Sequence, residues 1–154
     1  MNKFTIGVVI VTYNRLEELK KSLLCYEAQT KKPEYLIVVD NCSTDGTVEY
    51  LKDWQQKDAG FNKELILLEE NTGGSGGFYA GMKRASESEV ADWIWVADDD
   101  AFPEKNCFEE AENFVNRYAD KIDEISAFCG KCMWENKIAP VQRCRFVNSI
   151  FGKQ

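Results

Sequence analysis

Histidine is absent from all 154 residues. That excludes Ser-His-Asp triads, Cys-His dyads, HExxH zinc sites and any imidazole general base built from this chain. Its chemistry must rest on carboxylates, hydroxyls, backbone amides or a bound metal. Long apolar runs are also missing, since no stretch reaches the roughly 18 residues of a spanning helix. Met1-Asn2-Lys3-Phe4 leads directly into a strand-like segment with no small-residue cleavage pattern, so a signal peptide is not expected. Positive charge is in deficit: 19 basic residues face 26 acidic ones, a formal charge of −7. Such a field repels a phosphate backbone, so nucleic acid is not an expected partner.

The 44% hydrophobic content suits one compact domain with its own core, spanning residues 1–154. Six cysteines (Cys25, Cys42, Cys107, Cys129, Cys132, Cys144) are too sparse for a disulfide scaffold and read as reduced thiols in a cytoplasmic protein. Cys129-Gly-Lys-Cys132 is a lone CxxC, and no second pair or histidine completes a zinc site.

Strand and helix patterns alternate. Ile6–Thr12 is a β-branched run of the kind buried on both faces of a sheet. Leu16, Leu19, Leu23 and Tyr26 then recur at helical spacing, predicting a helix from Arg15 to Ala28. Tyr35–Asp40 is a second buried strand. Turn chemistry in Cys42–Gly46 leads into a helix over Thr47–Gln56. Glu64–Leu68 is a third strand, followed by a glycine-rich loop and a short helix ending near Ser88. Asp92–Ala97 is a fourth strand, Pro103 opens a further helix, and Ile125–Gly130 reads as a fifth strand. This order predicts an α/β fold with a mostly parallel, Rossmann-like sheet and helices on both faces. Ligands of such sheets bind beyond the carboxyl ends of the strands.

Those ends hold the polar residues. Asp98-Asp99-Asp100 follows the fourth strand, and adjacent carboxylates repel one another unless a hard divalent cation separates them. In an extended segment Asp98 and Asp100 would point the same way and share one Mg²⁺ or Mn²⁺ ion, with Asp99 facing elsewhere. A solvated acidic turn is the competing reading. Asn71-Thr-Gly-Gly-Ser-Gly-Gly-Phe-Tyr-Ala-Gly81 packs five glycines between a strand and a helix, where backbone could approach an anion. It matches neither a Walker loop nor a dinucleotide fingerprint, and a flexible loop is equally compatible with it. The first strand ends in Thr12-Tyr13-Asn14-Arg15 and the second in Asp40-Asn41. Both ends are suited to a nucleotide, and both are also ordinary turn sequences.

Taken together, Val9–Arg15, Ile37–Gly46, Asn71–Phe78 and Val96–Asp100 resemble the N-terminal part of a family 2, GT-A type glycosyltransferase, over residues 4–135. The Asn-x-Gly-Gly-Ser-Gly-Gly-Phe stretch is most similar to the galactofuranosyl- and rhamnosyltransferase branch. The resemblance implies inverting transfer of a sugar from a UDP- or dTDP-sugar to a hydroxyl of a glycan or lipid-linked acceptor. Carried over by position, Thr12 and Tyr13 line the base pocket and Asp40 and Asn41 meet base or ribose, although many relatives carry a second aspartate in place of Asn41. Arg15 approaches the diphosphate, Gly74 and Gly77 lie near the sugar, and Asp99 contacts the donor sugar. Asp98 and Asp100 hold the metal. The general base of such enzymes lies well after the acidic strand end, where only the unsupported Glu135 is found. The expectation is therefore a truncated donor-binding half, its acceptor half missing, working in the cytoplasm and at most peripherally on the inner membrane face. Two other classes compete: a nucleotide-sugar binding module without turnover, and a receiver-like α/β domain. The latter should carry acidic residues after its first strand, where this chain has Tyr13 and Asn14.

Overall fold

The computed structural model describes residues 4–128, 130, 133–134 and 137–138. The chain divides into two compact units, residues 1–119 and 120–154. The first is built on β1 (Ile6–Thr12), β2 (Tyr35–Asp40), β3 (Asn62–Leu67) and β4 (Trp93–Asp98). All four run parallel, in the order β3-β2-β1-β4. The crossovers are α1 (Leu16–Glu27), α2 (Thr47–Gln56) and α3 (Gly73–Ser88), and α4 (Cys107–Arg117) follows β4. The expected α/β class, parallel sheet and flanking helices are all present.

β1 and β2 are buried at every position. Their unbroken apolar runs follow from this, because a strand covered on both faces has no side on which to place polar residues. Side chains alternate across the sheet. Val9, Val11, Ile37 and Val39 point to the face where α3 packs through Ala85. On the other face Trp95 donates its indole N–H to the Tyr26 hydroxyl at 3.1 Å and meets Phe108 of α4 edge-on at 5.5 Å. Lys63 lies there over the Trp54 ring of α2 at 4.3 Å.

Three segments differ from expectation. The glycine-rich stretch is the first half of α3 rather than a loop. Its glycines let the helix lie directly on the sheet: a Cβ at Gly77 would stand 2.5 Å from Val11 Cγ1, and one at Gly81 would overlap Val9 and come within 3.0 Å of Val39. Pro103 precedes α4 instead of opening it, since the helix begins at Cys107, whose amide closes a turn onto the Glu104 carbonyl at 2.9 Å. Ile125–Phe128 and Gly130 form no strand. A 3₁₀ helix covers Ala119–Glu124, and the Ile125 amide folds back onto the Ile122 carbonyl at 3.0 Å. The run Ile125, Ala127, Phe128 is too short for its apolar pattern to distinguish strand from turn. In the second unit β5 (Met133–Trp134) pairs antiparallel with β6 (Lys137–Ile138). Cys129 and Cys132, the ends of the CxxC motif, lie outside the described residues, as do Cys144 and Glu135. Among the described residues no helix is long and apolar enough to cross a membrane.

The seating of α3 is open to a simple check. Gly81→Ala is expected to lower stability by about 1–3 kcal/mol in urea unfolding, the cost of overpacking a close contact. Stiff β-branched valines on the strands leave the new methyl little room. Unchanged stability would show that α3 can lift off the sheet.

Candidate active site at the carboxyl edge of the sheet

β1 lies between β2 and β4, with Thr12 opposite Asp40 and Val11 opposite Asp98. Strands in a sheet are about 4.8 Å apart, so the tips of β2 and β4 stand about 10 Å apart across Thr12. Thr12 is buried and donates its hydroxyl to Asp99 Oδ2 at 2.7 Å. Arg15, just before α1, closes the other side: its guanidinium sits 3.2 Å from Asp99 Oδ1 and 3.0 Å from Asp100 Oδ2. Burial pushes the Asp99 carboxyl above the usual range, and the Thr12 hydroxyl and Arg15 charge offset this only in part. The hydrogen bond to Asp100 and the charge of Asp99 hold the Arg15 guanidinium more firmly protonated than usual.

The acidic triplet is not extended. The Ala101 amide bonds the Asp98 carbonyl at 3.2 Å, making Asp98–Ala101 a tight turn, and the Ala101 carbonyl accepts from Ser22 Oγ of α1 at 2.8 Å. The alternation argument for pairing Asp98 with Asp100 therefore does not apply. Both side chains are nonetheless exposed, while Asp99 is turned inward. Among the described residues no group of three or more His, Cys, Asp or Glu side chains is arranged to hold a metal. Two exposed carboxylates still fit a Mg²⁺- or Mn²⁺-type ion, which is commonly held by one or two carboxylates and completed by phosphate oxygens and water.

At the tip of β2, Asp40 is 1% exposed. Its Oδ2 accepts the Ser43 amide at 2.9 Å, whereas its Oδ1 is buried without a hydrogen-bond partner. A buried carboxylate oxygen left unpaired is costly, and a ligand N–H or O–H would satisfy it. Asn41 is buried and faces away, toward Asn71, Thr72 and Gly73 at the start of α3. Tyr13 is 44% exposed at the end of β1. Of the two glycines expected near the sugar, Gly74 is open, with no heavy atom within 4 Å of a Cβ built there, and Gly77 is packed on Val11.

Several residues that organise this edge do not stand out in the sequence. Asn14 adopts a left-handed conformation (φ 50°), which turns the chain between Tyr13 and Arg15. Its amide donates to Ser43 Oγ at 2.9 Å, and its Oδ1 accepts the Thr44 amide at 2.7 Å, joining the tips of β1 and β2. Asp45 accepts from the Leu16 amide at 3.2 Å and from the Thr47 hydroxyl at 2.6 Å and amide at 3.2 Å, so one carboxylate serves the first residues of both α1 and α2. The only sequence signal is an Asx residue two positions before a helix, which suggests a cap for α2 but not the link to α1.

The glycosyl transferase family 2 pattern matches residues 7–135. The chain belongs to that family. Galactofuranosyltransferase GlfT1 of Mycobacterium tuberculosis strain H37Rv is 42% identical to it over 98 residues, covering 62% of this chain and 30% of GlfT1. Poly(ribitol-phosphate) beta-N-acetylglucosaminyltransferase TarS of Staphylococcus aureus strain Mu50 is 30% identical over 126 residues, covering 79% of this chain and 20% of TarS. The chain thus spans under a third of the length of either relative. The TarS 1–349 structure in complex with UDP-GlcNAc superposes with a TM-score of 0.64 at 23% identity, over 75% of this chain and 32% of that one. Mannosyltransferase PcManGT of Pyrobaculum calidifontis, in complex with GDP-Man and Mn²⁺, gives 0.55 at 22% identity over 66% and 29%. The fold is thus the GT-A type that the strand-end motifs suggested.

Asp45 generates a pH-dependent expectation. Burial raises its pKa, but the Thr47 hydroxyl and the Leu16 and Thr47 amides outweigh that, and the carboxyl titrates below its ordinary value. The stability it contributes is therefore complete above the ordinary carboxylate range and is lost as pH falls through the lowered value. Asp45→Ala should cost ~0.5–1 kcal/mol at pH 7, the lower part of the capping range because the group is exposed. The gap to wild type should close in acid unfolding curves below about pH 4. A gap that stays constant into acid would remove the charge from the explanation.

Proposed function

We propose that this chain is the donor-binding half of an inverting, metal-dependent glycosyltransferase. It would move a sugar from a UDP- or dTDP-sugar to a hydroxyl of a glycan or lipid-linked acceptor. The observation that carries this reading is the spacing at the sheet edge. A buried carboxylate oxygen without a partner at Asp40 and an exposed acidic turn at Asp98–Asp100 stand two strands apart, with Thr12 between them.

In this reading Asp40 Oδ1 takes an N–H of the pyrimidine, and Tyr13 stacks on the base. Thr12 forms the floor. Arg15 reaches the diphosphate from its place beside Asp100, and Asp99 acts on the donor through the guanidinium it holds. Gly74, open at the start of α3, leaves room for the sugar. Asp98 and Asp100 hold Mg²⁺ or Mn²⁺. Such an ion neutralises charge developing on the leaving diphosphate. No residue of this chain is assigned as the general base that takes the acceptor proton. The names of GlfT1, a galactofuranosyltransferase, and TarS, a poly(ribitol-phosphate) beta-N-acetylglucosaminyltransferase, support sugar transfer; we place the reaction in cell-wall or polysaccharide synthesis, in the cytoplasm or peripherally on the inner membrane face.

Calorimetric titration with UDP and dTDP, with and without Mn²⁺, tests the assignment. Asp98→Asn and Asp100→Asn should each abolish the Mn²⁺-dependent part of the affinity while the far-UV spectrum stays native. Retention of that dependence in both variants would refute the metal role. Tyr13→Ala should weaken nucleotide binding by roughly 1–3 kcal/mol, the range for losing a base–aromatic stack, and wild-type affinity would take Tyr13 out of the pocket.

A further inference from the structure

Asn41 sits where the resemblance places a base- or ribose-contacting residue, yet its side chain is fully engaged elsewhere. Nδ2 donates to Asn71 Oδ1 and to the Gly73 carbonyl, both at 3.0 Å. Oδ1 accepts the Thr72 amide at 2.9 Å and the Thr72 hydroxyl at 3.3 Å. The orientation of the amide is not arbitrary, because a backbone N–H lies on one side and a backbone carbonyl on the other. Asn71 Oδ1 also accepts the Gly73 amide at 2.8 Å, and the Asn41 amide is tied to the Thr12 carbonyl at 2.9 Å. The bonding capacity of the buried Asn41 side chain is thus used up, and nothing is left for a nucleotide.

The segment it holds needs holding. Gly73, Gly74 and Gly76 stand in the first turn of α3 and Gly77 follows them, and glycine is a poor helix former. Thr72 supplies no side-chain cap. The local tie of the first turn is Asn71, whose Oδ1 accepts the Gly73 amide, and Asn41 at the tip of β2 holds that same oxygen.

We infer that Asn41 is a positioning residue: it pins the glycine-built start of α3 to the tip of β2 and so fixes the wall of the donor pocket, without touching the donor. This rests on the proposed function for what the pocket binds, while the pin itself does not. An aspartate here would lose both donations and face two acceptors, Asn71 Oδ1 and the Gly73 carbonyl.

The test compares two nearly isosteric substitutions in the full chain. Asn41→Asp removes both donated bonds. Asn71→Asp keeps both accepted bonds and adds a favourable charge at a helix start. Each adds one negative charge at nearly the same place, so any difference between them reports hydrogen bonding rather than charge. Hydrogen exchange is read at the amides of Gly77, Phe78 and Tyr79, whose helical partners are the carbonyls of residues 73–75. Exchange there should be at least tenfold faster in Asn41→Asp than in wild type and near wild type in Asn71→Asp. UDP affinity in the presence of Mn²⁺ should fall at least tenfold further in Asn41→Asp than in Asn71→Asp. If Asn41→Asp does not fold, the neutral, shorter Asn41→Ser is read in its place against wild type. Equal exchange or equal affinity in the compared proteins overturns the positioning role. Failure of wild type to bind either UDP or dTDP instead strikes the proposed function, while the exchange data still decide whether the pin exists.

Discussion

β1 is buried over all seven residues and is paired on both sides. A strand in that position can carry polar groups only where it ends. Its neighbours are parallel to it, so their ends arrive at the same edge. Thr12, Asp40 and Asp98 therefore become neighbours without any local sequence relationship, through the register of three strands. The polar residues of that edge depend on this arrangement, since a shift of one residue in β1 would carry Thr12 to the opposite face.

At that edge the charges are arranged around one cation. Asp99 is inside, Asp98 and Asp100 are outside, and Arg15 bridges the inner carboxylate and one outer one. Burial opposes ionisation of Asp99, and the guanidinium favours it. The bond to Asp100 is half exposed and so worth little by itself, about 1 kcal/mol or less. It can be exchanged for a stronger anionic partner at small cost. The Thr12–Asp99 contact is buried, and it keeps the arginine's base in place when its outer bond is given up.

Much of this was legible in the residues. The β-branched runs delimit β1 and β2 to the residue, and Thr47–Gln56 is the helix that its cap and spacing predict. The polar strand ends lie where an α/β sheet puts its ligands. The rest was hidden because it depends on distant partners. Glycine-rich Gly73–Gly81 is helical only because Val9, Val11 and Val39 accept a backbone at close range, which overrides local propensity. Asn41 reads as a base contact until Asn71, thirty residues on, is seen to claim it. Asp98–Ala101 turns back onto Ser22 of α1, which no alternation pattern reveals. Ile125–Phe128 has strand-like composition but is not in a strand.

The β-α crossovers also bring the starts of α1, α2 and α3 to the same edge, and Asp45 receives amides from two of them. Each helix start carries about half a positive charge, short in range. The chain as a whole carries −7. An anionic molecule approaching in dilute buffer meets the long-range repulsion first and the helix ends only on contact. Added electrolyte, which at 0.15 M shortens the reach of charge to about 8 Å, dims the distant field far more than the near one. Moderate ionic strength would then quicken the encounter, the reverse of what a basic cleft shows.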